Sequence, residues 1–348
     1  MNKIAIAGGA VALILGGAIF ANNSLNSKAE KELEKTFEQA LMMGVTKNGP
    51  VECSVLLGNE CTIKNVTSDG VKVESLKITG IRDYAALIKD KYGSFSYGIT
   101  FDGIQAENGE NFSNMLLSNP KIAKVLSTEA ISALKTNNPT ITLSASSDNT
   151  KEKSVMDVNY GVGVKDFPLY TSGELKITYK GDVSALEKQM KSNPLAAFSA
   201  LDKMYFNKLS LQAKHEDSLL MNMIYNAFYL SSIQNQNLTK TQFIEFHKGL
   251  FGEKDTIDSK LSLADFTKET KKVLHNKNSV QYKNISSEFK NTGFTEQQID
   301  TIIDELVTES GDLEVAITSK KELPVMRAIQ YLSKNPLALM NQVSIKVD

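Results

Sequence analysis

The chain has 348 residues, 41% hydrophobic and 23% charged, ordinary proportions for one large folded domain or two smaller ones. Its 39 lysines and arginines balance 40 aspartates and glutamates, so no net field draws in nucleic acid or an acidic membrane surface. Three histidines and no tryptophan supply little for a metal centre or an aromatic stacking platform.

Residues 1–27 are expected to form a membrane anchor. Ile4 to Ala21 is a run of 18 uncharged residues behind Lys3. As a helix it would span roughly 27 Å, close to the hydrocarbon thickness of a bilayer. A signal peptide is the alternative, but cleavage after Ala21 would place Ile19 where a small side chain is required. No cysteine stands near residue 20 to carry a lipid. Ala5, Gly9, Ala12 and Gly16 fall near one helix face and would allow a homodimer through the anchor. The segment 28–50 reads as a helical stalk, with Leu33, Phe37, Ala40 and Leu41 at helical spacing and Gly49-Pro50 closing it.

From Val51 the hydrophobic period changes to two, and an α+β domain is expected over 51–217. Cys53 and Cys61 are the only cysteines, and they flank a strand, a Gly58-Asn59 turn and a second strand. That arrangement would bring the two together as a disulfide, at home in a periplasm or outside the cell. Strands follow at Cys61–Val66, Val71–Ile81 and Tyr92–Ile104, and a hairpin over 140–164 is expected to turn at Ser147-Asp-Asn149.

A short phrase then recurs: Leu117-Ser-Asn-Pro120, Lys191-Ser-Asn-Pro-Leu-Ala196 and Ser333-Lys-Asn-Pro-Leu-Ala338. The residue before proline is driven out of the helical region, while asparagine caps helices and proline suits their first position. Each copy therefore breaks one helix and starts another. Each is followed by an alternating strand, Ile141/Leu143/Ala145, Leu209/Leu211/Ala213 and Val343/Ile345/Val347. The repeating unit is strand, helix, break, helix, strand. Residues 218–309 show no strand pattern and read as an all-helical insertion, with Thr295-Glu-Gln-Gln298 as a capping box. Residues 310–348 then complete the α+β domain with the last repeat.

Sequence signals for catalysis fail one by one. Gly161-x-Gly163 follows a strand, but Asp166 stands where the dinucleotide fingerprint needs glycine. Gly93-Ser-Phe-Ser-Tyr-Gly98 misses the nucleophile-elbow spacing by one residue. Ser118-Asn-Pro-Lys121 fits Ser-x-x-Lys but lacks partner motifs. His215, His247 and His275 stand apart from any ligand-spaced neighbour. The expectation is therefore no catalytic residue, no cofactor and no metal. Met221, Met223, Tyr225, Phe228 and Tyr229 on one apolar helix could line a pocket for a lipid or other apolar ligand, although such a stretch is more often core.

The anchor, the stalk and strands such as Val71-Lys-Val-Glu-Ser-Leu-Lys-Ile-Thr-Gly80 together resemble the YdgA-like and AsmA-like bacterial envelope families, over residues 1 to about 180. The resemblance implies an anchored periplasmic protein, and through the AsmA-like members a link to lipid transport and outer-membrane homeostasis. The helical block at 218–309 departs from it. The expected fold is thus α+β: an N-terminal transmembrane helix, an antiparallel sheet with repeated strand-helix-strand units, and a helical insertion. The expected function is that of a non-enzymatic inner-membrane protein with its soluble domain in the periplasm. It would bind a protein partner or maintain the envelope, with lipid or apolar-ligand binding between sheet and helices as the alternative.

Overall fold

A computed structural model describes residues 30–31, 33–34, 45–55, 59–68, 70–83, 92–106, 111, 117–186, 200–234, 262–291 and 293–348. Alternating β-branched and polar residues build eleven strands, which join one sheet in the order β1-β3-β4-β5-β6-β7-β8-β9-β10-β11, with β2 also on β3. β1 (Val45–Lys47) and β2 (Val51–Ser54) lie end to end along one edge of β3 (Glu60–Ser68). Between them stands Asn48-Gly49-Pro50, whose proline cannot donate to a ladder. β4 (Val71–Thr79), β5 (Gly93–Ala106), β6 (Pro139–Asn149), β7 (Lys153–Val164) and β8 (Leu169–Lys180) follow. β9 (Met204–His215), β10 (Gly311–Pro324) and β11 (Val343–Val347) complete the sheet. Every strand from β3 onward pairs antiparallel with the next in the chain.

The first core lies on one face of β2–β5. Cys61, Ile63 and Val66 of β3 meet Val73, Leu76 and Ile78 of β4 and Ile104 of β5, all buried. Ile63 and Val66 are three residues apart, as are Val73 and Leu76, an odd step that would normally send one of each pair to the opposite face. Positive φ at Asn65 (53°) and Gly103 (69°), on either side of Glu74, re-aims the pleat so that both halves face inward. Leu33, 1% exposed, joins this core from the helical residues 30, 31, 33 and 34. On the same turn Glu30 accepts a hydrogen bond from the Cys53 amide (3.0 Å) and Glu34 one from the Val51 amide (3.2 Å). Four helical residues rise about 6 Å and two strand residues about 6.6 Å, so carboxylates at i and i+4 match the outward amides of an edge strand. The edge is thereby satisfied rather than left open to pair with another chain.

Helices cover the other end. α1 (Pro120–Val125) and α2 (Thr128–Thr136) precede β6. Leu126, Ala130 and Leu134 pack there with Leu219 of α3 (Leu219–Gln234). α4 (Leu263–His275), α5 (Val280–Asn291) and α6 (Glu296–Leu306) also lie between β9 and β10. α6 opens with the reciprocal box between Thr295 and Gln298 and buries Ile299, Ile302 and Ile303. Gln298 also donates to the Ile345 carbonyl (2.6 Å) on the edge strand β11. After β10, α7 (Val325–Lys334) ends at Asn335, whose side chain accepts from Ala338 (3.2 Å) in α8 (Pro336–Met340). Leu323, Leu339 and Val343 form the core beneath these two helices. The middle copy of the phrase, Asn193-Pro194, lies outside the described residues.

The expected fold class needs correction. The described chain is a mostly antiparallel eleven-stranded sheet with helices, and no described helix is long and apolar enough to cross a membrane. The longest described helix, α3, has 16 residues and carries Asn222, Asn226, Ser231, Ser232 and Gln234. It would span about 24 Å, short of the roughly 30 Å hydrocarbon core. Residues 4–21, with Ala5, Gly9, Ala12 and Gly16, lie outside the described residues. The hairpin turn also moves. Pairing runs on to Asn149 and Ser154, and the reversal is at 150–152, where the Thr150 hydroxyl accepts from the amides of Glu152 (3.3 Å) and Lys153 (3.1 Å). A threonine hydroxyl can stand in for a backbone turn acceptor, and this one outcompetes Ser147-Asp-Asn149.

Candidate binding surfaces on the central strands

Residues 139–180, the whole of β6, β7 and β8, contribute no buried hydrophobic side chain. Ile141 packs against the first core, and Val164, Phe167 and Leu169 against the cluster of Leu126, Ala130, Leu134 and Leu219; between those contacts, cross-strand pairs hold the strands together. Successive residues of a strand face opposite ways, so the register assigns every side chain to one of two surfaces.

One surface is polar. Thr142, Gly161, Ser172, Gln212 and Glu314 lie in a row across β6–β10. Ser144, Asn159, Glu174 and Ser210 form the neighbouring row. Together they floor an open groove of about 520 Å³. Lys208 faces Lys176 directly, a like-charge pairing that each resolves through carboxylates. Lys208 binds Glu174 (2.7 Å) and Glu314 (3.7 Å), and Lys176 binds Asp157 (3.1 Å). Ser172 donates to Gln212 (3.1 Å), which donates to Asp312 (2.6 Å), itself paired with Lys214 (3.0 Å). The hydrogen bond to Glu174 holds the Lys208 ammonium above the usual lysine range, against a smaller opposing effect of burial. A lysine kept protonated is neither a nucleophile nor a base.

Tyr170 sits in this groove, 42% exposed. A Cβ at Gly161 would run into its hydroxyl, and one at Gly163 would come within 2.8 Å of its Cδ2. The ring therefore lies lengthwise along β7, seated on two glycines. A second, smaller groove of about 300 Å³ lies farther along β8–β10, lined in part by Thr178, Tyr205, Asn207 and Thr318. There Lys180 is paired with Glu322 and stands 4.7 Å above the Tyr205 ring.

The opposite surface is apolar. Leu143, Tyr160, Gly173 and Leu211 are aligned across β6–β9, with the Tyr160 ring over Gly173. Leu143 (38% exposed), Val162 (36%), Leu175 (37%) and Leu211 (50%) remain open to solvent on this face.

The residues singled out from the sequence do not converge on either groove. Met221 is fully buried against Phe266 and Val307, and the Tyr225 ring meets Phe266 edge-on at 5.3 Å. Both fill the packed contact between α3 and α4. Met223 turns toward the separate cluster of Leu126, Ala130 and Leu134. The side chains of Phe228 and Tyr229 lie outside what the structure describes. Cys53 and Cys61 are register partners with their sulfurs at bonding distance. Of the histidines, His215 is buried with Nε2 2.9 Å from the Glu305 carbonyl, and His247 lies outside the described residues. Among the described residues no group of three or more His, Cys, Asp or Glu side chains is placed to hold a metal ion.

Sequence reasoning missed the groove, although one signal was present. Gly161-x-Gly163, which fails as a phosphate-binding loop, is the seat of Tyr170 from the adjacent strand. Glycine pairs in a strand mark close approach, here by an aromatic ring. Compared with protein-family models and with curated proteins, the chain matches none.

Proposed function

We propose that this chain is an exported, non-enzymatic binding protein of the bacterial envelope, and that its ligand surface is the polar groove across β6–β10. The observation that carries this reading is an open groove floored by polar side chains of β6–β10, three of whose strands, β6, β7 and β8, bury no hydrophobic side chain. Hydroxyl, amide and charged side chains line it, and its volume is in the range of ligand clefts. Its ionisable groups are paired with one another, which supports recognition over catalysis. The Cys53–Cys61 pair supports an oxidising compartment.

The test is photocrosslinking of the full chain in cells, with a photoreactive residue at Ser144 or Asn159. The control position is the exposed Lys268 on α4. Adducts concentrated at the groove are expected. Equal yield at all three positions would sink the reading.

A second reading, an acyl chain or other apolar ligand on the opposite face, is supported by the exposed row of Leu143, Tyr160 and Leu211. Native mass spectrometry with lipid extraction tests it. Co-purifying lipid that Leu211→Glu removes is the outcome in its favour, and a bare mass counts against it.

A further inference from the structure

We infer that the groove takes a neutral, polyhydroxylated ligand, a segment of a glycan chain, with Tyr170 as its stacking platform. This rests on the groove being the binding surface and adds the ligand's chemistry.

Tyr170 is the first ground. With glycine at 161 and 163, one face of its ring rests on bare backbone, while 42% of the residue remains open to solvent. A ring laid flat in a groove, supported beneath and free above, offers a π surface to a flat ligand. Sugar rings present such a face, because their axial C–H bonds are apolar and carry partial positive charge, complementary to the negative face of an aromatic ring. A ring needed only for cross-strand packing could cover one glycine, as Tyr160 covers Gly173 on the other side.

The surrounding side chains are the second ground. Thr142, Ser144, Asn159, Ser172, Ser210 and Gln212 carry hydroxyls and amides, which both donate and accept hydrogen bonds. Sugar hydroxyls need partners of this mixed kind. An acyl chain would strip these groups of water and return no hydrogen bond.

Charge is the third ground. The ionised groups lining the groove are Glu174, Lys208 and Glu314, and the lysine lies between the two carboxylates. An anionic ligand finds that cation already engaged, and a cationic one finds carboxylates already neutralised. A neutral ligand leaves these pairs intact, and the carboxylates can still accept from its hydroxyls.

The experiment is isothermal titration of the full chain with chitotetraose, cellotetraose and maltotetraose, repeated with Tyr170→Ala and Tyr170→Phe. Binding of at least one probe is expected. Tyr170→Ala should weaken it about tenfold or more, whereas Tyr170→Phe, which keeps the ring, should stay within about threefold. Tyr170 is exposed, and matching circular dichroism and thermal midpoints confirm that both variants fold. No binding of any probe at millimolar concentration overturns the inference, as does binding that Tyr170→Ala leaves unchanged. The crosslinking above separates the two levels. Adducts at Ser144 and Asn159 that these sugars do not compete away would reject the glycan and keep the groove. Absence of groove adducts would remove both.

Discussion

Reducing the Cys53–Cys61 bond is expected to destabilise the β2–β3 end of the sheet by about 2.5 kcal/mol. The magnitude follows from loop closure: the two cysteines are 8 residues apart, and the chain-entropy relation for so short a loop gives about 2.5 kcal/mol at 25 °C. Position makes the tether matter. β2 has only four residues, and it holds Val51 and, just past its end, Val55 at 5% and 6% exposure over the first core. The Cys53 amide donates to Glu30 instead of to β3, so Cys53 and Cys61 face each other as a non-hydrogen-bonded pair, where side chains approach most closely. The assay is urea unfolding of the chain purified from a periplasm, with and without reductant, followed by circular dichroism because there is no tryptophan. Reduction should lower the midpoint by about 1 M at an m-value near 2–3 kcal/mol/M. Alkylation and mass measurement before reduction should find no free thiol. Two alkylatable thiols in the exported protein, or an unchanged midpoint on reduction, would refute the reasoning.

Three further outcomes are expected. Gly103→Ala should cost about 2 kcal/mol or more, since φ is +69° and a Cβ there meets the Glu74 carboxylate, a loss that thermal unfolding would register. Leu76→Ala, 1% exposed in the first core, should cost about 2–5 kcal/mol, whereas Leu211→Ala, 50% exposed on the apolar face of the sheet, should stay within about 0.5 kcal/mol; equal losses by denaturant titration would mean that this face is covered after all. Glu296 is held below the ordinary carboxylate range by its hydrogen bonds to Lys290 and Lys277. Its folded value is depressed, so the stabilisation is present above its unfolded value of about 4.3 and is lost as pH falls through the folded one; carbon-detected NMR titration should show that depression, and its disappearance in Lys290→Ala with Lys277→Ala.

The sequence determined by itself whatever depends on neighbours along the chain. The period of two at Val343–Val347 follows from the geometry of a single strand, and the Thr295–Gln298 box from that of a single helix turn. Asn335-Pro336 likewise ends one helix and starts the next because proline restricts the residue before it. The short spacing of the cysteines made Cys53 and Cys61 natural register partners. Hydrophobic periodicity says that one face of a strand is apolar and nothing about what covers it. The same alternation at Leu76/Ile78 and at Leu209/Leu211 therefore ends in a buried core in one case and an exposed face in the other. The Met and aromatic positions of α3 illustrate the same limit: Met221 and Met223 are two residues apart, yet they pack into different clusters because two separate groups of helices flank that turn. The groove was decided only by tertiary structure. Tyr170 reaches Gly161 and Gly163 through the β7–β8 register, and Glu314 reaches Lys208 across a hundred residues of intervening chain. Those pairings are set by the alignment of whole strands, which no local stretch of sequence encodes.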